Sequence, residues 1–157
     1  MGNIKQVLAA AISASLLIAC VQAQAGESEE VVVSSDKSWT QSALPAYVGG
    51  VPEISVMKYI LTPGVKTPIH LHPVNAGGYV VSGQLTMYAT SDAAGDFSDP
   101  SNVKTIVLNP GDGWTETVNT WHYGVATGDV PTEVVIVFAG QKGTPTGLTL
   151  GTYIQPV

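Results

Sequence analysis

Residues 68–83, PIHLHPVNAGGYVVSG, place two histidines one residue apart in a stretch that alternates apolar and polar side chains. The alternation over His70, Leu71 and His72 predicts a β-strand in which both imidazoles point to one face. Neutral imidazole is a good ligand for Zn, Fe, Ni and Cu, so the pair can converge on one ion. The alternative is a pair of polar side chains that line a wet pocket or a surface.

Short β-like runs, broken by glycine and proline, continue on both sides of this stretch. No part of the chain after residue 30 has a sustained apolar period of 3.6 residues, so we expect few helices. The spacing of the runs is typical of an all-β sandwich or small barrel, with a polar loop at 91–102. The predicted strands are 54–62, 69–72, 78–83, 85–90, 103–109, 114–119, 121–127 and 132–140.

The third and last histidine, His122, lies in PGDGWTETVNTWHYGV, residues 110–125. Two motifs emerge when the histidines are taken together with the glycines around them. Gly64, His70, His72 and Gly83 have the spacing of G-x5-H-x-H-x3,4-E-x6-G, and Gly111 and His122 have that of G-x5-P-x-G-x2-H-x3-N. Over roughly residues 53–140 the chain therefore resembles the cupin superfamily.

The resemblance implies a double-stranded β-helix, a jelly-roll barrel, over residues 51–142. It also implies a divalent metal ion (Fe, Mn, Ni or Zn) held by His70, His72 and His122. One departure affects the chemistry, because Ala76 occupies the glutamate position and has no donor atom. The other departures, at the motif's Pro, Gly and Asn positions, affect turn geometry more than chemistry; these positions hold Thr117, Asn119 and Ala126.

Some cupins, including thiol dioxygenases and diketone-cleaving enzymes, are similar in using three histidines without the glutamate. The resemblance thus implies a small-molecule metalloenzyme with a dioxygenase-like or related activity. It also implies a homodimer, since cupins are commonly dimers. The competing hypothesis is a non-catalytic module that binds a metal or a sugar-like or apolar ligand. A structural barrel with vestigial histidines is a third, because fold alone does not fix function.

Glu116 is the candidate catalytic residue, being the only acid within the strands of the second motif. It is a candidate metal ligand, general base or hydrogen-bond partner of a histidine N–H. The alternative is a solvated strand residue. Asn75 offers an amide oxygen, although its position in a turn favours a structural role, and Asp112 is expected to shape the Pro110–Gly111 turn.

Five aromatic residues lie in or near the two motifs, and they belong either to the barrel core or to the cavity wall. They are Tyr79, Tyr88, Trp114, Trp121 and Tyr123. In a regular strand Trp121 and Tyr123 point away from the face that His122 occupies, which makes them poor candidates for the metal pocket. By the same alternation, Trp114 and Glu116 share a face.

The N-terminus predicts export. A short polar start with Lys5, the apolar run 7–19 and the A-x-A sequence at 23–25 are typical of a signal peptide, residues 1–25. Leu17 to Cys20 instead resembles a bacterial lipobox, which would anchor the protein to a membrane through Cys20. Val21 is an unusual neighbour for a lipidated cysteine and favours cleavage after Ala25. We therefore expect a periplasmic or secreted protein.

The remaining chain is long enough for one domain. We expect an N-terminal extension at 26–50, the barrel at 51–142, and a tail or edge strand at 143–157. The chain has 12 acidic and 6 basic residues, and none of the basic ones is arginine. This composition argues against nucleic acid as a partner, whereas the cupin resemblance implies a small-molecule ligand. The only cysteine is Cys20, so no disulfide forms within the chain.

Overall fold

The computed structural model describes residues 30–47 and 49–150. The chain divides into two units, Met1–Glu30 and Val31–Val157, and the elements below belong to the second unit. The predicted signal segment, both processing sites and residues 151–157 of the tail lie outside the described residues.

The regular structure of the described residues is nine β-strands and one 3-10 turn, Pro100–Asn102, within the predicted polar loop. No helix in this part of the chain is long and apolar enough to cross a bilayer. The all-β prediction is confirmed. The strands are β1 (Pro52–Leu61), β2 (His70–Leu71), β3 (Asn75–Ser82), β4 (Leu85–Thr90), β5 (Val103–Leu108), β6 (Gly113–Thr115), β7 (His122–Ala126), β8 (Thr132–Gln141) and β9 (Leu148–Thr149).

The strands form two antiparallel sheets. One has the order β1-β8-β3-β6 and the other the order β5-β4-β7-β2-β9. Strands adjacent in sequence often lie in different sheets: β3 belongs to the first and β4 to the second. The predicted turn at Gly83 therefore links the sheets. Gly83 has φ +74°, and a Cβ there would lie 2.6 Å from the Cα of Thr132, so only glycine fits this link.

The core is built from alternate residues of these strands. Strand β8 shows the pattern most clearly, since Val134, Ile136 and Phe138 are buried whereas Val137 between them is exposed. These side chains pack with others from β3, β4, β5 and β6. The buried core cluster comprises Val74, Ala76, Val80, Leu85, Met87, Leu108, Trp114, Val134, Ile136 and Phe138.

Two predicted strands are shorter than expected. The run 69–72 forms strand only over His70–Leu71, and the run 114–119 only over Gly113–Thr115. Past β6 the chain turns at Asn119, which has φ 52° and occupies the glycine position of the second motif. Asparagine is among the non-glycine residues that adopt this conformation most readily. The Gly-to-Asn departure therefore preserves the turn.

The N-terminal extension packs against the barrel at β6. The backbone N–H of Trp39 donates to the carbonyl of Thr115 (3.0 Å), and the Trp39 side chain packs on the core cluster. Lys104 donates from its ammonium to the carbonyl of Thr40. The tail contributes β9, which pairs with β2 at the edge of the second sheet.

Candidate metal centre

The three histidines meet at one point between the sheets. His70 in β2 and His122 at the start of β7 are paired in register, and His72 follows β2, where its carbonyl accepts from the N–H of Asn119 (2.8 Å). The ring centroids lie 4.4 to 4.9 Å apart. One ring nitrogen from each histidine lies within 4.8 Å of the other two. That clustering suits a shared metal ion.

Each histidine is oriented by a backbone carbonyl. His70 Nδ1 is hydrogen-bonded to the carbonyl of Pro68 (2.8 Å). His72 Nδ1 is bonded in the same way to the carbonyl of Thr146 (2.6 Å), and His122 Nδ1 to that of Thr120 (2.9 Å). A carbonyl only accepts, so each Nδ1 carries the proton and donates it. In the neutral ring Nε2 then has a free lone pair, which is the state that binds metal.

Burial keeps two of the rings neutral. Burial, followed by the charge of His122, lowers the pKa of His70 to about 4. Burial, followed by the charge of His72, lowers the pKa of His122 to about 4. Both rings are thus uncharged near neutral pH, as metal binding requires.

Glu116 is buried beside this cluster, with 2% of its surface exposed. Its Oε1 accepts a hydrogen bond from Trp114 Nε1 (2.8 Å). Its Oε2 lies 3.8 Å from His122 Nε2, and neither of these two atoms has a hydrogen-bond partner within the described chain. With Nδ1 protonated, both atoms are acceptors and cannot bond to each other. A bound cation would satisfy both, so these residues fit a metal ion.

The other positions that the sequence analysis considered for the site, Asn75, Asp112 and Ala76, lie outside the cavity. Asn75 donates from Nδ2 to the carbonyl of Pro45 (3.1 Å). Asp112 accepts from the backbone N–H of Asn109 (2.7 Å) and so shapes the expected turn. Ala76 is buried in the core cluster. None of these three side chains lines the cavity described below.

Of the five aromatic residues in the two motifs, one lines the cavity and the others lie outside it; Tyr79 in β3 is exposed. Trp114 lines the cavity. Trp121 and Tyr123 do not: Trp121 Nε1 donates to the carbonyl of Ala93 (3.0 Å), and the Tyr123 ring stacks on Tyr88 at 4.9 Å. This is the orientation that strand alternation predicts for the neighbours of His122.

The histidines and Glu116 open into a cavity of about 500 Å³, within the range of small-molecule sites. Its wall is mostly apolar. The apolar residues in it are Leu61, Val65, Pro68, Leu85, Met87, Trp114, Val134 and Ile136. Glu116 is the only acid and Lys66 the only lysine among the described residues that line it.

Tyr59 and the carbonyl of Thr146 belong to the site but are not among the site residues predicted from the sequence. Tyr59 lines the cavity from β1, and its alternation with Leu61 on the same face of the strand indicates this position. Thr146 orients His72 through its carbonyl. A backbone group is present at every position, so its role cannot be identified from residue type.

A family model described as "Cupin domain" matches residues 57–138. Comparison with curated proteins found no match. Similar solved structures include the formate complex of Lactobacillus farciminis oxalate decarboxylase, at 23% identity and TM-score 0.51 over 62% of this chain and 26% of that one. A recombinant oxalate oxidase in complex with glycolate is 21% identical, with TM-score 0.51 over 62% and 46%.

Bacillus subtilis oxalate decarboxylase, an enzyme with Mn(II) centres, is also similar, at 22% identity and TM-score 0.51 over 62% of this chain and 24% of that one. At these identities the likeness concerns the fold. The chain spans about a quarter to a half of the length of these enzymes.

Proposed function

The chain belongs to the cupin domain family, whose model covers more than half of it, and on that basis we propose that it is a small-molecule metalloenzyme with a dioxygenase-like activity. The observation that carries the proposal is the arrangement of His70, His72 and His122. Their Nδ1 atoms are fixed by carbonyls, and one nitrogen from each converges at the cavity.

A divalent ion bound there would supply a Lewis acid with positions open to substrate. The three histidines are neutral ligands and cancel none of the ion's positive charge, which favours a substrate with an anionic or enolic oxygen. Glu116 is the carboxylate of the cavity, and Trp114 fixes its Oε1.

The lining of the cavity supports a substrate with an apolar body and an oxygen-donor head. A small dianion such as oxalate would leave most of a cavity of about 500 Å³ unfilled. Beside the metal it would also lack a cationic side chain as a partner, since the Lys66 ammonium lies 3.5 Å above the ring of Tyr123 and the chain has no arginine. The oxalate chemistry of the structural neighbours is therefore not the one we propose.

The test is metal analysis of untagged protein, followed by binding and turnover measurements. We expect near-stoichiometric Fe, Mn, Ni or Zn, and a melting point that rises when the stripped protein is reloaded. A panel of aromatic or branched compounds with an oxygen head should bind the loaded protein more tightly than oxalate, with oxygen uptake for at least one of them. A melting point indifferent to every metal would overturn the proposal.

The same panel tests the second candidate, a non-catalytic binding module. The predominantly apolar cavity favours it, because such a cavity can hold a ligand without a metal. Equal ligand affinity in the stripped and loaded protein, with no turnover, would favour the module.

Export and dimerisation complete the proposal. Export is supported by the signal-like sequence of residues 1–25. Dimerisation is supported by β1, an edge strand that pairs only with β8 among the described strands and is exposed along nearly its whole length. Such an edge offers free backbone groups to a second chain.

A further inference from the structure

We propose that Glu116 is the fourth protein ligand of the metal and supplies, from the position directly after β6, the carboxylate that the cupin pattern would carry at position 76. The inference rests on the proposed function, since it requires the three-histidine site to hold a metal. It assigns one role to a residue for which the sequence left several roles open.

The register of β3 and β6 places the two positions side by side. Gly77 pairs with Thr115 and Gly78 with Trp114, so one step further in the same antiparallel register Ala76 faces Glu116. The backbone N–H of Glu116 donates to the carbonyl of Ala76 (2.8 Å), which fits that pairing. Cross-strand partners project to the same face of a sheet with Cβ atoms about 5 Å apart. A carboxylate at 116 therefore starts from the position adjacent to 76.

Side-chain sizes on the two strands are complementary. β3 has small residues at Ala76 and Gly78, and opposite them lie the large side chains of Glu116 and Trp114. A Cβ added at Gly78 would lie 2.2 Å from the Trp114 ring, so the ring lies directly over this glycine. The small residues of β3 leave the interior space that the indole and the carboxylate fill.

The surroundings of Glu116 exclude two of its other candidate roles, the solvated strand residue and the hydrogen-bond partner of a histidine N–H. It is buried, and so is not a solvated strand residue. It cannot accept from a histidine Nδ1–H, because all three are bonded to carbonyls. Trp114 holds Oε1, and Oε2 faces His122 Nε2 at 3.8 Å without a hydrogen-bond partner among the described residues. Two buried acceptors facing each other are costly unless a cation lies between them.

The first experiment compares Mn(II) binding by the wild type and Glu116→Gln. Glutamine keeps the volume, and its amide oxygen can still accept from Trp114, so the substitution removes mainly the charged ligand. We expect Mn(II) affinity to fall about tenfold or more. Glu133→Gln is the matched control, because Glu133 pairs with Lys58 outside the cavity; its Mn(II) affinity should equal that of the wild type.

A second experiment moves the carboxylate back. Ala76→Glu in the Glu116→Gln background should recover most of the lost Mn(II) affinity, because the two positions are cross-strand neighbours. Ala76→Glu alone should not bind more tightly than the wild type, since it adds a second buried carboxylate. Wild-type affinity in Glu116→Gln, or no recovery in the double variant, would overturn the inference.

A measurement on the wild type covers the case in which the variants do not fold. Water-proton relaxation counts the waters on bound Mn(II), which prefers about six ligands. Three histidines and Glu116 leave at most about two waters, whereas three histidines alone leave about three. Three waters on the wild type would overturn the inference but leave the proposed function intact. Failure of the wild type to bind any metal would instead overturn the proposed function.

Discussion

His70 and His122 are direct cross-strand partners in the β2–β7 pair, and their ring centroids lie 4.4 Å apart. The residues are distant in sequence and come from the two separate motifs. Their convergence therefore depends on the register of β2 against β7. A shift of one residue would turn one imidazole to the opposite face of the sheet.

Because the three histidines share one site, we expect them to act as a unit in metal binding. Replacing His70, His72 or His122 with alanine should weaken Mn(II) or Zn(II) affinity by about 100-fold or more, above the usual loss from an outer-shell partner. A second replacement should add little. Isothermal titration of stripped protein measures this; three small and additive effects would contradict it.

The apo protein should lose stability in acid between about pH 6.5 and pH 4. The folded-state pKa of His70 and of His122 is lowered to about 4 from the ordinary histidine value of 6.5, so over this range the unfolded chain binds more protons than the folded one. Each group contributes about 3 kcal/mol at most, and the two are coupled, so the sum is smaller. Urea unfolding in chelator at pH 7.5 and pH 4 measures the loss.

The control for this titration is His122→Asn. The variant has lost one of the two titrating groups and also the charge that lowers the pKa of His70. Its loss of stability between the same two pH values should be clearly smaller. An equal loss would assign the acid sensitivity to other groups.

Gly78→Ala should disturb the metal site without touching a ligand. The new Cβ would lie 2.2 Å from the Trp114 ring, so the indole must move, at a cost of about 1–3 kcal/mol of stability. Its hydrogen bond to Glu116 should weaken, and Mn(II) affinity should fall. Gly77→Ala is the control, because its Cβ would contact only the Trp114 carbonyl at 3.5 Å. Chemical denaturation of both variants measures the loss of stability, and metal titration measures the change in Mn(II) affinity.

Much of the architecture follows from local patterns. Alternation predicts β4 at its observed bounds and places Trp121 and Tyr123 away from the cavity. Motif spacing brings together His70, His72 and His122, which no local pattern could do. Strands β2 and β6 are predicted too long, because the residues that follow them continue the alternation after strand pairing has ended.

The role of position 76 could not be predicted from the sequence in the same way. Ala76 indicates a lost ligand when it is considered along its own strand. Its neighbour Glu116 is 40 residues away in sequence, and only the pairing of β3 with β6 makes the two adjacent. Such long-range pairing is set by the tertiary structure, and it determines which side chains share a face of the sheet.

The edge strand β1 should mediate dimerisation. Its outward side chains Ile54, Val56 and Ile60 are each at least 60% exposed, and the strand edge is open to pairing. Val56→Lys should convert a dimer to a monomer in light scattering after gel filtration. Val107→Lys, at an exposed apolar position of β5, should leave the dimer intact. A monomeric wild type would refute the proposal.

Processing should remove the apolar N-terminal segment. We expect mature protein that starts at Gly26, or at a lipidated Cys20 in the membrane fraction. Intact mass measurement of soluble and membrane fractions separates the two, because lipidation adds the mass of acyl chains. An unprocessed Met1 in both fractions would contradict export.

The carbonyls that orient the histidines have an evolutionary consequence. Pro68 and Thr120 each stand two residues before the histidine they hold, and Thr146 reaches His72 from the tail. All three acceptors are backbone carbonyls, so the residue types at these positions can change without removing the hydrogen bond that orients each imidazole ring. Insertions or deletions would move the carbonyls themselves. Among descendants of this chain, loop length near residues 68, 120 and 146 should therefore vary less than residue identity.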